Sequence, residues 1–253
     1  GVSFVFLVSL NKTLRLNNWF KINSIIEPNL LEYLDLVSLG TVCDVVPLKG
    51  LNRAIVKQGL KVLKNKKNLG LKTLFDICKI ESAPTIYHLG YVLGPRINAG
   101  GRVGKCSHGA NLLLKSNPKE VFKIANELDH FNKERKVLEN DLFNKVLKQV
   151  NKEEPVLILN GVNWHEGIIG IVASRIKDKF NKPTIVISVE GEVGKASARS
   201  ISGFDIGLHI ISAVQNKILI KGGGHKMAAG FSIDMKNIEK FKAFKCYKRV
   251  YTR

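Results

Sequence analysis

The chain has 253 residues, 45% of them hydrophobic, enough for two modest domains with ordinary cores. Its 40 Lys and Arg against 21 Asp and Glu leave a net charge of +19, a field that favours polyanions, nucleic acid first and an acidic membrane surface second. No apolar run approaches the roughly 18–20 residues of a membrane-spanning helix, and Cys43, Cys78, Cys106 and Cys246 are scattered without a CxxC pair, which argues against a zinc site or disulfide framework and suits a reducing cytoplasm.

The richness in Lys, Asn and Ile is of a kind that a genome's base composition imposes, so part of the charge is background. In chain order, Val2 to Leu10 is apolar but short, with no basic stretch before it, and reads as a buried helix rather than a signal peptide. A chain that opens on such a segment reads as truncated. The string LDLVSLGTVCDVVPL follows from Leu34 to Leu48. Its Leu34 to Val46 part reads as a buried strand feeding a turn, with Pro47 as a stop. Asp44 then stands at a strand end, where α/β sheets place functional groups. It serves either as a metal ligand or as a turn or cap residue, and Asp35 competes with it.

The string LGPRINAGGRVGK, from Leu93 to Lys105, is rich in glycine. Arg96 and Arg102 flank Asn98, Gly100 and Gly101, so both guanidinium groups could face one phosphate; a turn with solvated arginines fits equally well. A long helix comes next. Asn117 suits the N-cap, Pro118 the first helical position, and Glu120 completes a capping box. Apolar residues recur at Val121, Ile124, Ala125, Leu128, Phe131, Leu138, Leu142 and Val146, a spacing that suits an amphipathic helix. Run to Val150 it would be about 50 Å long, a strut between two lobes.

The last lobe alternates strands and helices, an α/β pattern. Strands are expected at Val156–Leu159, Thr184–Val189, Lys195–Ser200 and Ala228–Ile233, with helices at Gly167–Phe180 and Phe204–Ile218. In GVNWHEGIIG, Trp164, His165 and Glu166 precede a helix start whose free N–H groups favour an anion. His165 could contact phosphate, and Trp164 could stack on a base or fill the core. From Lys236 the chain reads as basic and helix-like.

The most pointed chemistry lies in KASARS (Lys195–Ser200) with KGGGHKMAAG (Lys221–Gly230). Arg199 offers a planar fork that matches phosphate, while Ser197 and Ser200 offer neutral donors. Gly222, Gly223 and Gly224 clear side chains so that backbone N–H groups can approach an anion, and His225 follows them. A loop with several positive-φ turns is the plainer reading of three glycines. No GxxxxGK[ST] nucleotide loop is present.

In order, LGTVCDVVPLKGLNR, LGPRINAGGRVGK, NWHEGIIGIVASRI, SARSISGFDI and GGGHKMAAGFSI resemble the RecJ family, single-strand-specific 5′→3′ DNA exonucleases of the DHH phosphoesterase superfamily. The resemblance covers residues 1 to about 235 and implies the distal part of a DHH domain over 1–115, a connecting helix over 116–151, a smaller α/β DHHA1 domain over 152–235 and a basic tail over 236–253. It implies a site holding two divalent metals, Mn²⁺ or Mg²⁺, with Asp44 as the last of the metal-binding carboxylates. Arg96, Ser197 and Arg199 match positions expected to hold a 5′-terminal phosphate; His225 with Gly222, Gly223 and Gly224 matches the substrate-side loop. The family's DxD pair and DHH triplet are absent here. One aspartate cannot hold two cations, so the chain alone is expected to be inactive. It reads as half of a split enzyme whose separate partner chain carries the missing motifs, as a decaying fragment, or as a truncated sequence. The partner expected is single-stranded DNA, with no membrane. A non-catalytic nucleic-acid-binding remnant and another DHH–DHHA1 phosphodiesterase of short oligonucleotides are the alternatives.

Overall fold

In the computed structural model, which describes residues 1–244, the chain divides into two compact units, 1–132 and 133 onward. The division falls inside one helix. The first unit is helical: α1 (Val2–Leu16), α2 (Trp19–Ile22), a 3-10 turn at Leu30–Tyr33, α3 (Leu34–Cys43), α4 (Gly50–Lys64), α5 (Leu69–Ile77), a π-helix at His88–Leu93, α6 (Gly94–Val103) and α7 (His108–Leu114). Its core gathers Leu39, Leu63, Leu74, Phe75, Leu89 and Leu93 with Val121, Ala125 and Leu128.

Three expectations fail in this unit. The Leu34–Val46 segment is a helix, not a strand. Buried Leu34, Asp35, Ser38, Leu39 and Thr41 lie on one helical face, and Ser38 and Thr41 donate their hydroxyls to the carbonyls of Leu34 and Val37, four residues back, so the β-branched and hydroxyl residues that suggest a strand are accommodated in helix. The string from Leu93 to Lys105 is helical as well: the π-helix feeds α6, with Pro95 in the first turn where its missing N–H costs nothing. Helix α1 forms where an apolar helix was expected, but Val2, Val5, Phe6, Leu7, Val8 and Leu10 are all exposed.

Helix α8 (Pro118–Leu147) is continuous over 30 residues, roughly 45 Å. Asn117 caps it, its Oδ1 accepting from the backbone N–H of Lys119 at 3.0 Å and of Glu120 at 3.4 Å. The reciprocal half of a capping box is missing, because the Glu120 carboxylate turns to Lys115.

The second unit is α/β. Its sheet has the order β1-β2-β3-β5-β4, with β1 (Leu157–Val162), β2 (Thr184–Glu190), β3 (Val193–Arg199), β4 (Lys221–His225) and β5 (Ala228–Asp234). β1 and β2 are parallel, joined through α9 (Glu166–Phe180), and the other pairings are antiparallel. β2 is buried from Thr184 to Val189, as a central strand covered on both faces must be. On one face α10 (Ile206–Gln215) packs Ile206, Ile210 and Ala213 against Ala196, Ala198, Ala229 and Phe231. On the other, α9 lies against β2 and β3. Residues 236 onward, expected as a basic tail, begin with a 3-10 turn at Met235–Asn237 and α11 (Ile238–Ala243), whose Ile238 and Phe241 are buried in the core. The rest of that stretch, with Cys246, lies outside the described residues. Among the described residues no helix is long and apolar enough to cross a membrane.

His209 lies on α10, buried and stacked on Phe204 with ring centroids 4.5 Å apart. Burial holds its imidazole below the usual histidine range, against a smaller opposing pull from Asp205. The unfolded chain therefore takes up a proton, near pH 6.5, that the fold resists. This part of the stability is present above the unfolded value and is lost as pH falls toward the folded one. Thermal melts between pH 7.5 and 5.5 should show the wild type losing more stability than His209→Phe; equal losses would remove His209 from the account.

Candidate nucleic-acid interface

The registers of β3, β5 and β4 place alternate residues in three rows on the face that α9 partly covers. One row is Arg199, Ala228 and His225; the next is Ser197, Gly230 and Gly223; the third is Lys195, Ser232 and Lys221. α9 reaches β2 and β3 but does not extend over β5 and β4, so Gly230, His225 and Lys221 are exposed. On the opposite face the alternate residues of β3 and β5 are core. The result is a floor of small residues edged by cations.

The three glycines do not form a loop. They lie in edge strand β4, and none has a positive φ. A Cβ on Gly222 would stand 2.6 Å from the Cβ of Phe231 and 2.8 Å from Cγ2 of Ile210; on Gly224 it would stand 2.4 Å from the Ala228 carbonyl oxygen. Those two glycines let α10 and β5 approach the strand. Gly223 faces the floor, and a Cβ there would meet nothing within 4 Å.

Arg199 is half-buried beside α9. Its Nη1 donates to Ser197 Oγ at 2.9 Å and to the Ala198 carbonyl at 2.8 Å. A Cβ on Gly170 of α9 would stand 2.9 Å from Ser197 Oγ and 3.0 Å from Arg199 Nη2, so this glycine makes room for both side chains. With its oxygen accepting from Arg199, the Ser197 hydroxyl keeps its proton for another acceptor. His225 Nδ1 accepts from the Met227 N–H at 3.3 Å, which leaves Nε2 as the protonated nitrogen of the neutral ring. Ser197, Arg199 and His225 thus each carry a donor on this face of the sheet. Ser200 does not join them: it is buried, donating to the Phe204 carbonyl at 2.6 Å.

His165 caps α9, its Nδ1 accepting from Gly167 N–H at 3.2 Å. Glu166 pairs with Lys195 at 2.7 Å, and this partner raises the Lys195 pKa. The Trp164 indole lies against Gly161 of β1, where a Cβ would come within 2.3 Å of the ring. The ring packs on the strand at that glycine.

Asp44, Arg96 and Arg102 belong to the first unit. Arg96 is engaged: Nε donates to Asp129 Oδ1 at 2.8 Å and Nη1 to the Val92 carbonyl at 2.8 Å, with both partners of the ion pair largely buried. Arg102 is exposed in the last turn of α6. Asp44 is the exposed C-cap of α3, next to the start of α6, since the Cys43 thiol occupies the space beside Gly94. A carboxylate at a helix C-terminus attracts cations, but among the described residues no group of three or more His, Cys, Asp or Glu could hold a metal ion. Asp35 is buried, its Oδ1 accepting from Leu36 N–H, and burial raises its pKa. These residues do not fit a two-metal centre.

Residues 153–245 match the DHHA1 domain family. The single-stranded-DNA-specific exonuclease RecJ of Salmonella typhimurium is 39% identical over 96% of this chain, and that of Escherichia coli K12 is 38% identical over the same share. Over nearly its whole length the chain is similar to these RecJ exonucleases. It spans 44% of the length of those two relatives. Thermus thermophilus RecJ in complex with Mn²⁺ superposes with a TM-score of 0.79 at 33% identity, covering 88% of this chain and 33% of that one; its Mg²⁺ complex gives 0.78. These RecJ structures support divalent-metal dependence for the family's reaction. The mixed α/β fold with its five-stranded sheet and long helix is that of the RecJ relatives.

Sequence reasoning singled out Ser197, Arg199 and Gly223 but passed over Gly170, Ala228 and Gly230. A glycine inside a helical pattern is a signal of close approach, and the small residues at 228 and 230 repeat with the strand period of two. The packing assigns opposite outcomes to neighbouring glycines. Gly223→Ala should leave stability within about 0.5 kcal/mol of wild type. Gly222→Ala and Gly224→Ala should each lose roughly 1–3 kcal/mol through overpacking. Chemical denaturation of the three variants distinguishes them, and equal effects would contradict the facing described.

Proposed function

We propose that the second unit binds the 5′-phosphorylated end of single-stranded DNA for a RecJ-type 5′→3′ exonuclease acting in repair and recombination. The observation that supports it most is the pairing of Arg199 with Ser197 under Gly170, beside a small-residue floor. Arg199 is pre-oriented by two acceptors, so it loses little freedom when it meets a phosphate. Ser197 and His225 add neutral donors. The +19 charge attracts the strand through counterion release. The family resemblance implies Asp44 as one metal ligand and Arg96 as a phosphate contact, and Arg102 and His165 are proposed as phosphate contacts from their own sequence context. The cytoplasm is the compartment proposed.

The reaction needs Mn²⁺ or Mg²⁺, which activates a water and stabilises the leaving oxygen. The residues here supply binding and orientation; the remaining metal ligands fall to a separate chain or segment. That division favours one second reading, a binding module without its own hydrolytic step, resting on Asp44 standing apart from any ligand cluster among the described residues.

Affinities of otherwise identical oligonucleotides with 5′-phosphate and 5′-hydroxyl ends, measured without divalent metal, test the reading. A charge-assisted hydrogen bond contributes about 1.5–3 kcal/mol, so the phosphorylated end should bind roughly tenfold or more tightly, and Arg199→Ala should remove most of that preference. Equal affinity for the two ends in the wild type would contradict it.

A further inference from the structure

The floor between β3 and β4 extends beyond the Arg199 end. Lys195 lies four residues before Arg199 on β3, roughly 13 Å away along the strand. Lys221 lies four residues before His225 on β4. The two lysines share one row with Ser232 between them, and the glycine row of Gly230 and Gly223 separates this row from the Arg199–His225 row. β3 and β4 stand about 10 Å apart across β5. Cations therefore edge both ends of a groove whose middle carries no side chain larger than that of Ser197. One phosphate would use only one end.

We propose that this face holds a run of phosphodiester backbone along β5, with one phosphate on the Arg199–His225 row and a second, further along the same single strand, on the Lys195–Lys221 row. This rests on the reading of the face as a nucleic-acid surface. The glycine row lets the linkage between the two phosphates lie close to the sheet. Ser232 supplies a hydroxyl between the lysines. The Lys195–Glu166 pair does not block the subsite: both side chains are about half exposed, and exposed pairs hold weakly enough for a polyanion to compete. Asp234, the next residue on this face of β5, already pairs with Lys236 at 3.0 Å. It ends the basic strip with a carboxylate.

The experiment measures dissociation constants of 5′-phosphorylated oligothymidylates of one and three nucleotides, at fixed low salt with divalent metal chelated. The variants are Lys195→Ala/Lys221→Ala and Arg199→Ala, all at exposed or half-exposed positions. In the wild type the trinucleotide should bind at least tenfold more tightly than the mononucleotide. The double lysine variant should reduce that step to about twofold while keeping the preference for a 5′-phosphate over a 5′-hydroxyl. Arg199→Ala should lose the preference and keep the length step. A wild-type length step retained in the double lysine variant would overturn the second subsite and leave the first. A flattened step together with a 5′-phosphate preference untouched by Arg199→Ala would overturn the terminal-phosphate reading and leave the strip. If no oligonucleotide binds the wild type, both fall.

Discussion

Helix α9 covers only part of its side of the sheet, and the candidate site follows from that limit. Where α9 lies on β2 and β3, the strand residues beneath it are buried or half-buried. Beyond β3 the sheet must present side chains that tolerate water without a covering layer. Gly223, Ala228, Gly230 and Ser232 meet that requirement, while the alternate residues of β5, Ala229, Phe231 and Ile233, are buried in the core. A two-faced strand with core on one side and almost nothing on the other leaves its backbone accessible. The cations stand at the border of the covered region, where Arg199 is half shielded by α9 and Lys195 is exposed.

Arg199 gains from this border position. Water screens a fully exposed guanidinium, and a fully buried one needs a carboxylate partner, as Arg96 shows with Asp129 in the first unit. Arg199 donates to a hydroxyl and a carbonyl, and these two acceptors orient its planar fork. An arriving phosphate therefore meets a positive group already in place. Gly170 is the helix residue that makes this possible, since a side chain there would crowd Arg199 and Ser197.

Much of the chain's local structure was legible in the sequence. The α9 start, the buried β2 run and the Ser197/Arg199 alternation carry strong periodic signals, and the Asn117 cap of α8 follows from local hydrogen bonding. The GGG string was misleading because glycine has two uses: permitting unusual φ, and permitting close approach. Here Gly222 and Gly224 use the second, which depends on Phe231 and Ala229 in the paired strand β5 and on Ile210 of α10. The Leu34–Cys43 helix was missed for a related reason. Val and Thr favour strands on average, but tertiary packing of Leu34 and Leu39 decided the matter. The exposure of α1 has no counterpart in its composition. Glycines at 94, 100 and 101 inside α6 likewise obscured a helix, one that Cys43 packs against.

The central claim is that single-stranded nucleic acid lies on the uncovered face of β3, β5 and β4. Backbone amide NMR of the chain titrated with a 5′-phosphorylated trinucleotide tests it most directly. The largest chemical-shift changes should fall on Ser197, Arg199, Gly223, Ala228 and Gly230, with Gly170 responding through Arg199. Changes confined to the first unit or to α10, with those six amides unmoved, would contradict the account.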